Sequence, residues 1–397
     1  MPRMLDADES DPARRPRIAL AHDWLCGMRG GEMTLARIAR AAAEIGDISA
    51  LYLMFDDRRP HDALLDKLPK RRSWLNGLPG ALRLRRWLLP LYPAAAADLS
   101  KQLAHDHAQQ PIDLLISSSS AAVKGMRAPG GVPHLCYCHS PARYVWSRAA
   151  DYGGGGIGGR LRSLGLGLAG PLYRGWDRRS ARNVTRFIAN SSHIAGEIDR
   201  CYRREAVVIH PPVRTDFFTP DPAVRRERFW LVVSALEPYK RTDVAIEAAN
   251  LAGRRLVIVG DGSCRRELAR RAGPLVRFEG RVADQRLRHL YRTAAVLLFP
   301  QIEDFGIVCA EAQACGLPVA AAGAGGALDM IVEGATGALA TPGDARSLAD
   351  AGRRAAQMAS AACAENALRF SEERFDAEIT GAIEAALADH QEQPAAN

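Results

Sequence analysis

The chain has 397 residues, which at about 150 residues per domain allows two to three domains with separate cores. Its 47% apolar and 25% charged residues exclude collagen-like, coiled-coil and wholly disordered proteins. The 53 basic and 45 acidic residues leave a net charge of +8, which is compatible with nucleic acid, anionic lipid or phosphorylated ligands.

The amino terminus and the cysteines indicate the compartment. Residues 1–16 mix acidic and basic side chains without an apolar run, so we predict a flexible tail and neither a signal peptide nor an anchor. The eight cysteines form no C-x-x-C pair, which favours a reducing compartment. No stretch approaches about 18 uninterrupted apolar residues, so no membrane-spanning helix is predicted. We therefore expect a cytoplasmic protein.

The first half of the chain alternates strand and helix signals. An apolar run at 17–22 is followed by a glycine-bearing loop at 26–31 and a helical pattern at 32–43. Further strands are predicted at 48–54, 112–119, 133–139, 185–191 and 205–211. The glycine-rich run at 152–159 is interpreted as a mobile loop or a plain surface linker.

The second half repeats this alternation more regularly. Strands are predicted at 229–236, 255–262, 276–280, 294–300 and 317–323, and helices at 242–250, 264–272, 284–292 and 307–315. Strands alternating with helices of this length predict parallel sheets covered on both faces, and hence an α/β fold with two doubly wound domains. With a proline-rich linker at 211–222, the domains are predicted at 17–220 and 221–370. Residues 371–397 are predicted to form a helix that returns to the first domain, and then a tail.

Ligands bind outside the carboxyl ends of strands in open parallel sheets, so the loops that follow strands are candidate sites. The strand ending at Pro300 is followed by a loop with Glu303 and Phe305 and by a helix that begins near Gly306 and Ile307. The free N–H groups of that helix start favour a phosphate. The helical spacing puts Glu311 on the apolar face of the same helix, where it needs a partner. A pair of ligand hydroxyls, as in a ribose, and a structural salt bridge are the alternatives.

Two further loops of the second domain carry candidate ligand contacts. The adjacent cations Lys240 and Arg241 follow the strand at 229–236, and Lys240 is the only lysine after position 124. Two neighbouring cations repel unless an anion joins them, which predicts a phosphate contact for Lys240 and either the same role or solvent exposure for Arg241. The turn Gly260-Asp261-Gly262 suits close approach of a nucleotide, although this signal is weak.

In the first domain, His139 follows a strand and either faces a substrate or is an ordinary loop histidine. Gly30 and Gly31 do not form G-x-G-x-x-G, which disfavours an NAD site but permits backbone approach to a ligand. His134, Cys136 and Cys138 share one face of a strand that cannot wrap a zinc ion, so buried thiols are favoured over a metal site.

The segment from Lys67 to Tyr92 interleaves seven cations with tryptophan, leucine and tyrosine side chains. Such a segment favours contact with an anionic membrane surface. A helix pair packed on the core is the alternative.

These residues resemble a known family. Glu303 and Glu311 are separated by seven residues in EDFGIVCAE, which resembles the Glu-x7-Glu signature of retaining family-4 glycosyltransferases with two facing Rossmann-like domains, the GT-B fold. Further matching motifs are HDWLCGMRGGE, CYCHSPARYVW, FIANSSHIA, VSALEPYKRTD, VGDG and GGALDMIVEG. The chain most resembles bacterial mannosyltransferases of O-antigen and exopolysaccharide assembly.

The resemblance implies a role for each candidate residue. Glu311 would hold the nucleotide ribose, Lys240 the diphosphate, Glu303 the donor-sugar hydroxyls, and His139 the donor sugar from the opposite domain. The glycines Gly30 and Gly31 would face the phosphates or the acceptor. Many relatives carry arginine where this chain has Ser234, and Arg241 is the candidate substitute.

The implied activity is transfer of a hexose, with mannose from GDP-mannose as the expected donor, to a lipid-linked or saccharide acceptor in cell-surface polysaccharide synthesis. No metal, other cofactor or nucleic acid is expected, and the protein is expected at the inner face of the cytoplasmic membrane. The alternatives are a nucleotide-sugar epimerase of the same architecture and a non-catalytic basic protein that binds membrane or nucleic acid.

Overall fold

A computed structural model describes residues 14–85, 87–146 and 170–391. The glycine-rich loop predicted at 152–159 and most of the tail predicted at 1–16 lie outside these ranges. Residues 14–16 contact the first domain, for example through an ion pair between Arg14 and Asp113 at 2.7 Å. The flexible tail predicted at 1–16 is therefore too long, because its last three residues contact the first domain.

The first domain contains a parallel sheet of seven strands in the order β3-β2-β1-β4-β5-β6-β7. The strands are β1 (Arg17–Leu25), β2 (Asp47–Asp56), β3 (Lys70–Arg72), β4 (Leu114–Ser119), β5 (His134–Cys138), β6 (Arg186–Ala189) and β7 (Ala206–Val208). The helices are α1 (Gly30–Ile45), α2 (Ala81–Leu84), α3 (Tyr92–Gln109), α4 (Arg143–Trp146), α5, described over 170–180, and α6 (Ser192–Tyr202).

The second domain contains a parallel sheet of six strands in the order β10-β9-β8-β11-β12-β13. The strands are β8 (Phe229–Val233), β9 (Arg255–Val259), β10 (Val276–Gly280), β11 (Val296–Phe299), β12 (Val319–Ala322) and β13 (Gly337–Ala340). The helices are α7 (Thr242–Ala252), α8 (Arg265–Arg271), α9 (Asp284–Thr293), α10 (Ile307–Ala314), α11 (Ala327–Met330), α12 (Ala345–Ala355), α13 (Ser360–Ala367) and α14 (Glu372–Gln391).

The predicted α/β class with two facing Rossmann-like domains is confirmed. The central strands β4 and β11 are buried on both faces, because helices cover both sides of each sheet. Two strands, β3 and β13, were not predicted. The first is the charged sequence KRR at a sheet edge and the second is GALA, and neither has the bulky apolar run by which a buried strand is recognised.

The chain crosses between the domains twice. Val213 and Phe218 are buried in the core of the second domain, so its core contacts begin before the boundary predicted at residue 220. Helix α14 returns and packs against α1, where Ile379 is fully buried in the core of the first domain. The Arg37 guanidinium on α1 hydrogen bonds both Glu372 and Asp376 of α14, which fixes the rotation of that helix.

The segment from Lys67 to Tyr92 divides its apolar side chains between the core and the surface. Leu75, Leu89 and Tyr92 are buried, which matches the alternative of packing on the core. Other side chains of this segment are between 36% and 48% exposed; these are Trp74, Leu78, Leu84, Trp87 and Leu91. Among the described residues, no helix has the length and apolar character needed to cross a membrane.

Truncation of Ile379 tests how α14 is held. Ile379→Ala is expected to lower the free energy of unfolding by about 2–5 kcal/mol, because it leaves a cavity where α14 meets the first sheet. The matched control Glu384→Ala, on the exposed face of α14, is expected to change it by less than about 0.5 kcal/mol. Chemical denaturation of both variants measures the difference, and equal effects would contradict the packing of α14.

Candidate functional site

A cavity of about 500 Å³ lies between the carboxyl ends of the two sheets. The first domain lines it with residues that follow β1 and β5, including Gly30, Gly31 and His139. The second domain lines it with Glu303 and the segment that leads into α10. Residues from both halves of the chain therefore meet here, as the position of strand ends in parallel sheets predicts.

The second-domain wall is the segment from Gln301 to Ile307, which we call the acidic loop. It follows β11 and passes into α10 at Gly306, whose φ of +100° favours glycine. The loop is supported from behind by Gly326, where an added Cβ would lie 2.5 Å from the Phe305 Cα. The Phe305 ring stacks on His210, with ring centroids 5.5 Å apart. This packing leaves the acidic loop little room to move.

Glu303 and Lys240 are paired in this structure. The Lys240 ammonium donates a hydrogen bond to the Glu303 Oε1, and the Gln301 side-chain amide donates to the same oxygen at 3.0 Å. Burial by itself raises the pKa of Glu303, but the Lys240 charge and these hydrogen bonds outweigh it and hold that pKa below its ordinary value. The two residues predicted for sugar and phosphate therefore lie together as a charged pair beside the cavity.

Glu311 lies in α10, away from the cavity lining. Its Oε2 accepts a hydrogen bond from the Tyr291 hydroxyl at 3.1 Å, and no described cation forms an ion pair with it. Burial raises the pKa of Glu311 to about 7, although the hydrogen bond from Tyr291 opposes that shift. The structural salt bridge considered for this residue is therefore absent from the described part of the chain, and its predicted contact with ribose stays a prediction.

The remaining predicted contacts of the second domain lie outside the main cavity. The Arg241 guanidinium contacts Asp243 and lines a second cavity with Tyr239 and Gly343. A Cβ added at Gly260 would lie 1.8 Å from the Ser234 carbonyl oxygen. A Cβ added at Gly262 would lie 2.5 Å from the Leu236 carbonyl oxygen. These two glycines are thus required by close packing of the loops after β8 and β9, whatever ligand is bound.

Asp261, between those glycines, is half exposed, and its carboxylate accepts a hydrogen bond from the Gly262 N–H at 2.9 Å. The predicted nucleotide contacts of Asp261 and of its two neighbours stay predictions.

His139 lines the cavity from the first domain, and its predicted contact with the donor sugar stays a prediction. Its Nε2 lies 2.8 Å from the Ser118 hydroxyl, and an added Cβ at Gly31 would lie 3.8 Å from the same nitrogen. Burial lowers the pKa of His139 to about 3, and the nearby His22 and Arg143 push it in the same direction. The imidazole is therefore neutral at physiological pH and can exchange hydrogen bonds with a hydroxyl.

Direct contacts between the domains surround the acidic loop. Arg143 of α4 forms an ion pair with Asp304, and the Ser191 hydroxyl donates to the Asp304 carbonyl oxygen. The Ser192 N–H donates to the Asp329 carboxylate at 2.6 Å. Sequence reasoning missed these contacts; the only available signal was the position of Arg143 and Ser191 just after predicted strands.

A buried carboxylate shapes the loop after β4. Asp23 is fully buried and accepts hydrogen bonds from the backbone N–H groups of residues 120–123 and from the Ser119 hydroxyl, at 2.7–3.1 Å. It therefore holds the backbone that follows Ser118 next to the cavity. This residue was also missed, although it stands beside His22 in the HDW motif near the end of the first strand.

Among the described residues, no group of three or more His, Cys, Asp or Glu side chains is placed to hold a metal ion. The expectation that the site works without a metal stays a prediction. His134 is hydrogen bonded to the Ser117 hydroxyl at 2.7 Å, and Cys136 and Cys138 are fully buried as expected.

Two family models match the chain. The model described as Glycosyltransferase Family 4 matches residues 28–217, and the model described as Glycosyl transferases group 1 matches residues 213–370. The two matches divide the chain close to the point where the structure changes domain.

A curated relative supports the same assignment over part of its length. The chain is 36% identical over 191 residues to a D-inositol 3-phosphate glycosyltransferase from Streptomyces scabiei. The aligned region covers 40% of this chain and 43% of that protein. The chain thus spans less than half the length of this relative.

Solved structures share the fold. HepE from Anabaena, solved with UDP, superimposes with a TM-score of 0.67 at 20% identity. The superposition covers 93% of this chain and 100% of the HepE chain. Sucrose-phosphate synthase from Thermosynechococcus elongatus has a TM-score of 0.67 at 18% identity. That superposition covers 94% of this chain and 100% of the synthase chain. The fold of this chain is therefore the GT-B fold.

The raised pKa of Glu311 predicts a pH-dependent stability. Between pH 4.5 and about pH 7 the folded chain keeps a proton on Glu311 that the unfolded chain has lost, so the free energy of unfolding falls as the pH rises through this range. Compared with Glu311→Gln, the wild-type chain is expected to lose about 1–3 kcal/mol between pH 4.5 and pH 8.

Chemical denaturation at both pH values measures this loss, and the exposed Glu365→Gln variant serves as the control that keeps the wild-type pH dependence. Identical pH dependence in Glu311→Gln and wild type would show that burial does not raise the Glu311 pKa.

Proposed function

We propose that this chain, which carries a Glycosyltransferase Family 4 domain followed by a group 1 glycosyl transferase domain, transfers a hexose from a nucleotide sugar to an acceptor hydroxyl. One observation carries the proposal: the pair of Lys240 and Glu303 lies at the start of α10, beside a cavity lined by both domains. A cation and a helix N-terminus together suit a diphosphate, and the adjacent carboxylate suits sugar hydroxyls.

The proposed donor contacts follow from the charges of the site. An incoming diphosphate competes with Glu303 for the Lys240 ammonium, since both anions seek the same cation. Glu303, once released, accepts hydrogen bonds from the hydroxyls of the donor sugar. His139, neutral because of its burial, contacts the sugar from the opposite domain.

The proposed transfer depends on stabilising the leaving group. Departure of the nucleoside diphosphate builds negative charge on its phosphates, which the Lys240 ammonium and the N–H groups at Gly306 and Ile307 stabilise. The oxygen of the acceptor hydroxyl then bonds to the oxocarbenium-like carbon from the face that the diphosphate leaves, and its proton passes to the departing diphosphate. Attack from this face retains the anomeric configuration. The proposal assigns no metal ion to this step.

We propose GDP-mannose as the donor, on the motif resemblance to mannosyltransferases. UDP-glucose is the alternative that the structural relatives suggest, because HepE was solved in complex with it. Both donors present a diphosphate and a hexose to the acidic loop. They differ in the base and in the configuration at C2 of the hexose, so a direct comparison separates them.

The proposed acceptor is amphiphilic and lies at an anionic membrane surface. Arg85, Leu89 and Tyr92 line the cavity, while Trp74 and Trp87 of the same segment are 42% and 47% exposed. Apolar and cationic side chains thus run from the cavity wall to the surface, which suits a lipid-linked acceptor held by the membrane.

A thermal-shift panel of GDP-, UDP- and ADP-sugars tests the donor class. The true donor is expected to raise the midpoint of unfolding by a few degrees at saturating concentration, with the same rise in EDTA. Lys240→Met is expected to abolish the rise, because it removes the phosphate cation, whereas the exposed Lys101→Met is expected to preserve it. With the identified donor, Lys240→Met and Glu303→Gln should lower turnover by about 10²–10³.

Absence of any shift across the panel, or parental turnover in both site variants, would contradict the proposed function. An absolute need for added Mg²⁺ or Mn²⁺ would contradict its metal-free form.

Vesicle flotation tests the membrane contact. Wild-type protein is expected to float with vesicles that contain anionic phosphatidylglycerol, and the double variant Trp74→Ser with Trp87→Ser is expected to float much less, because both side chains are exposed. Val207→Ser, an exposed apolar residue at the opposite edge of the first sheet, is the matched control. Equal flotation of the double variant and the control would contradict this surface.

A further inference from the structure

His22 is a buried histidine whose protonated nitrogen is identified by its neighbour. The residue lies in β1 and is 3% exposed. Its Nδ1 lies 2.8 Å from the Ser118 carbonyl oxygen. A carbonyl oxygen only accepts hydrogen bonds, so Nδ1 carries the hydrogen and donates it. In the neutral ring the other nitrogen, Nε2, then carries a lone pair and can only accept.

That lone pair has no partner within the described part of the chain. Nε2 of His22 is buried and makes no hydrogen bond there. Buried polar atoms are almost always satisfied, and an orphaned one costs about 1–3 kcal/mol.

The orphaned atom belongs to the wall of the cavity. His22 lines the cavity, and Gly31 passes in front of its ring, so that an added Cβ would lie 4.0 Å from the His22 Cε1. Glycine at this position adds no side chain in front of the ring. The missing hydrogen-bond donor is therefore expected to come from a ligand in the cavity.

The side of the cavity indicates which ligand supplies the donor. Most proposed contacts of the nucleotide sugar belong to the second domain, namely Lys240, Glu303 and the start of α10. The proposed sugar contact from the first domain is His139. His22 belongs to the first domain, and the neighbouring wall consists of Trp24, Cys26 and Arg85, on the surface proposed to receive the acceptor.

We propose that Nε2 of His22 accepts a hydrogen bond from the reacting hydroxyl of the acceptor and so positions that hydroxyl in the cavity. This proposal rests on the proposed transferase function, since it needs an acceptor with a free hydroxyl. Ser118 acts on both histidines of the wall, because its carbonyl orients His22 and its hydroxyl contacts His139.

Two substitutions separate the two nitrogens of His22. His22→Asn can keep a donor toward the Ser118 carbonyl, in place of Nδ1, but lacks an acceptor at the position of Nε2. His22→Gln can supply an oxygen near the position of Nε2 but no matching donor to Ser118. The exposed His105→Gln variant is the control.

Transfer from the donor found in the thermal-shift panel to n-octyl α-D-mannoside and n-octyl β-D-glucoside measures the effect. We expect His22→Asn to lower kcat/KM for the acceptor at least tenfold, His22→Gln to stay within about threefold of wild type, and the donor-induced thermal shift to be unchanged in both. If His22→Asn kept the wild-type kcat/KM and His22→Gln lost it, the proposal would be overturned, because only the hydrogen bond to the Ser118 carbonyl would then matter. Loss of the donor-induced shift would equally overturn it, since His22 would then contact the donor.

A second measurement does not depend on turnover. In protein labelled with ¹⁵N-histidine, the signals of His22 are assigned by their absence in His22→Asn. Nε2 is expected to be unprotonated and its signal to move when n-octyl α-D-mannoside or n-octyl β-D-glucoside is added. A proton on Nε2, or a signal that neither glycoside moves, would overturn the proposal. Failure of the transferase function would appear separately, as a wild-type chain that no nucleotide sugar stabilises.

Discussion

Two adjacent carboxylates in the acidic loop connect the candidate site to the contact between the domains. Glu303 meets Lys240 within the second domain, whereas Asp304 meets Arg143 of the first domain. The acidic loop that carries both residues is packed from behind by Gly326, so the two carboxylates cannot move independently over large distances. A ligand that separates Glu303 from Lys240 therefore acts on the same short segment that holds the domains together.

Burial has opposite outcomes for the two glutamates of the site. Both are partly buried, but Glu303 has a cation as its partner and keeps a low pKa, whereas Glu311 has only the Tyr291 hydroxyl and a pKa of about 7. An ion pair offsets the cost of desolvating the charged form, and a single neutral hydrogen bond does not. Glu303 is thus charged at neutral pH, while Glu311 is poised to change its charge with its surroundings.

The first-domain wall adds two histidines to cations such as Arg85. His22 and His139 are joined through Ser118, and Asp23 holds the backbone that follows it. The neutral imidazole of His139 suits a hydroxyl group, whereas the Lys240 ammonium of the second domain suits a phosphate. The two walls of one cavity are therefore chemically different, and this difference supports separate proposed places for donor and acceptor.

The sequence alone determined the fold class, most strands and the loops in which ligands are expected, because apolar periodicity is a local property and parallel strands expose their carboxyl ends at one edge. It also singled out Glu303 and Lys240, which the structure brings into contact although they lie 63 residues apart. The edge strands β3 and β13, the packing role of Gly260 and Gly262, the pair Arg143–Asp304 and the orphaned Nε2 of His22 were decided only by the tertiary structure. Each depends on which segments become neighbours when the sheets form and the domains meet, and no local pattern of side chains records that arrangement.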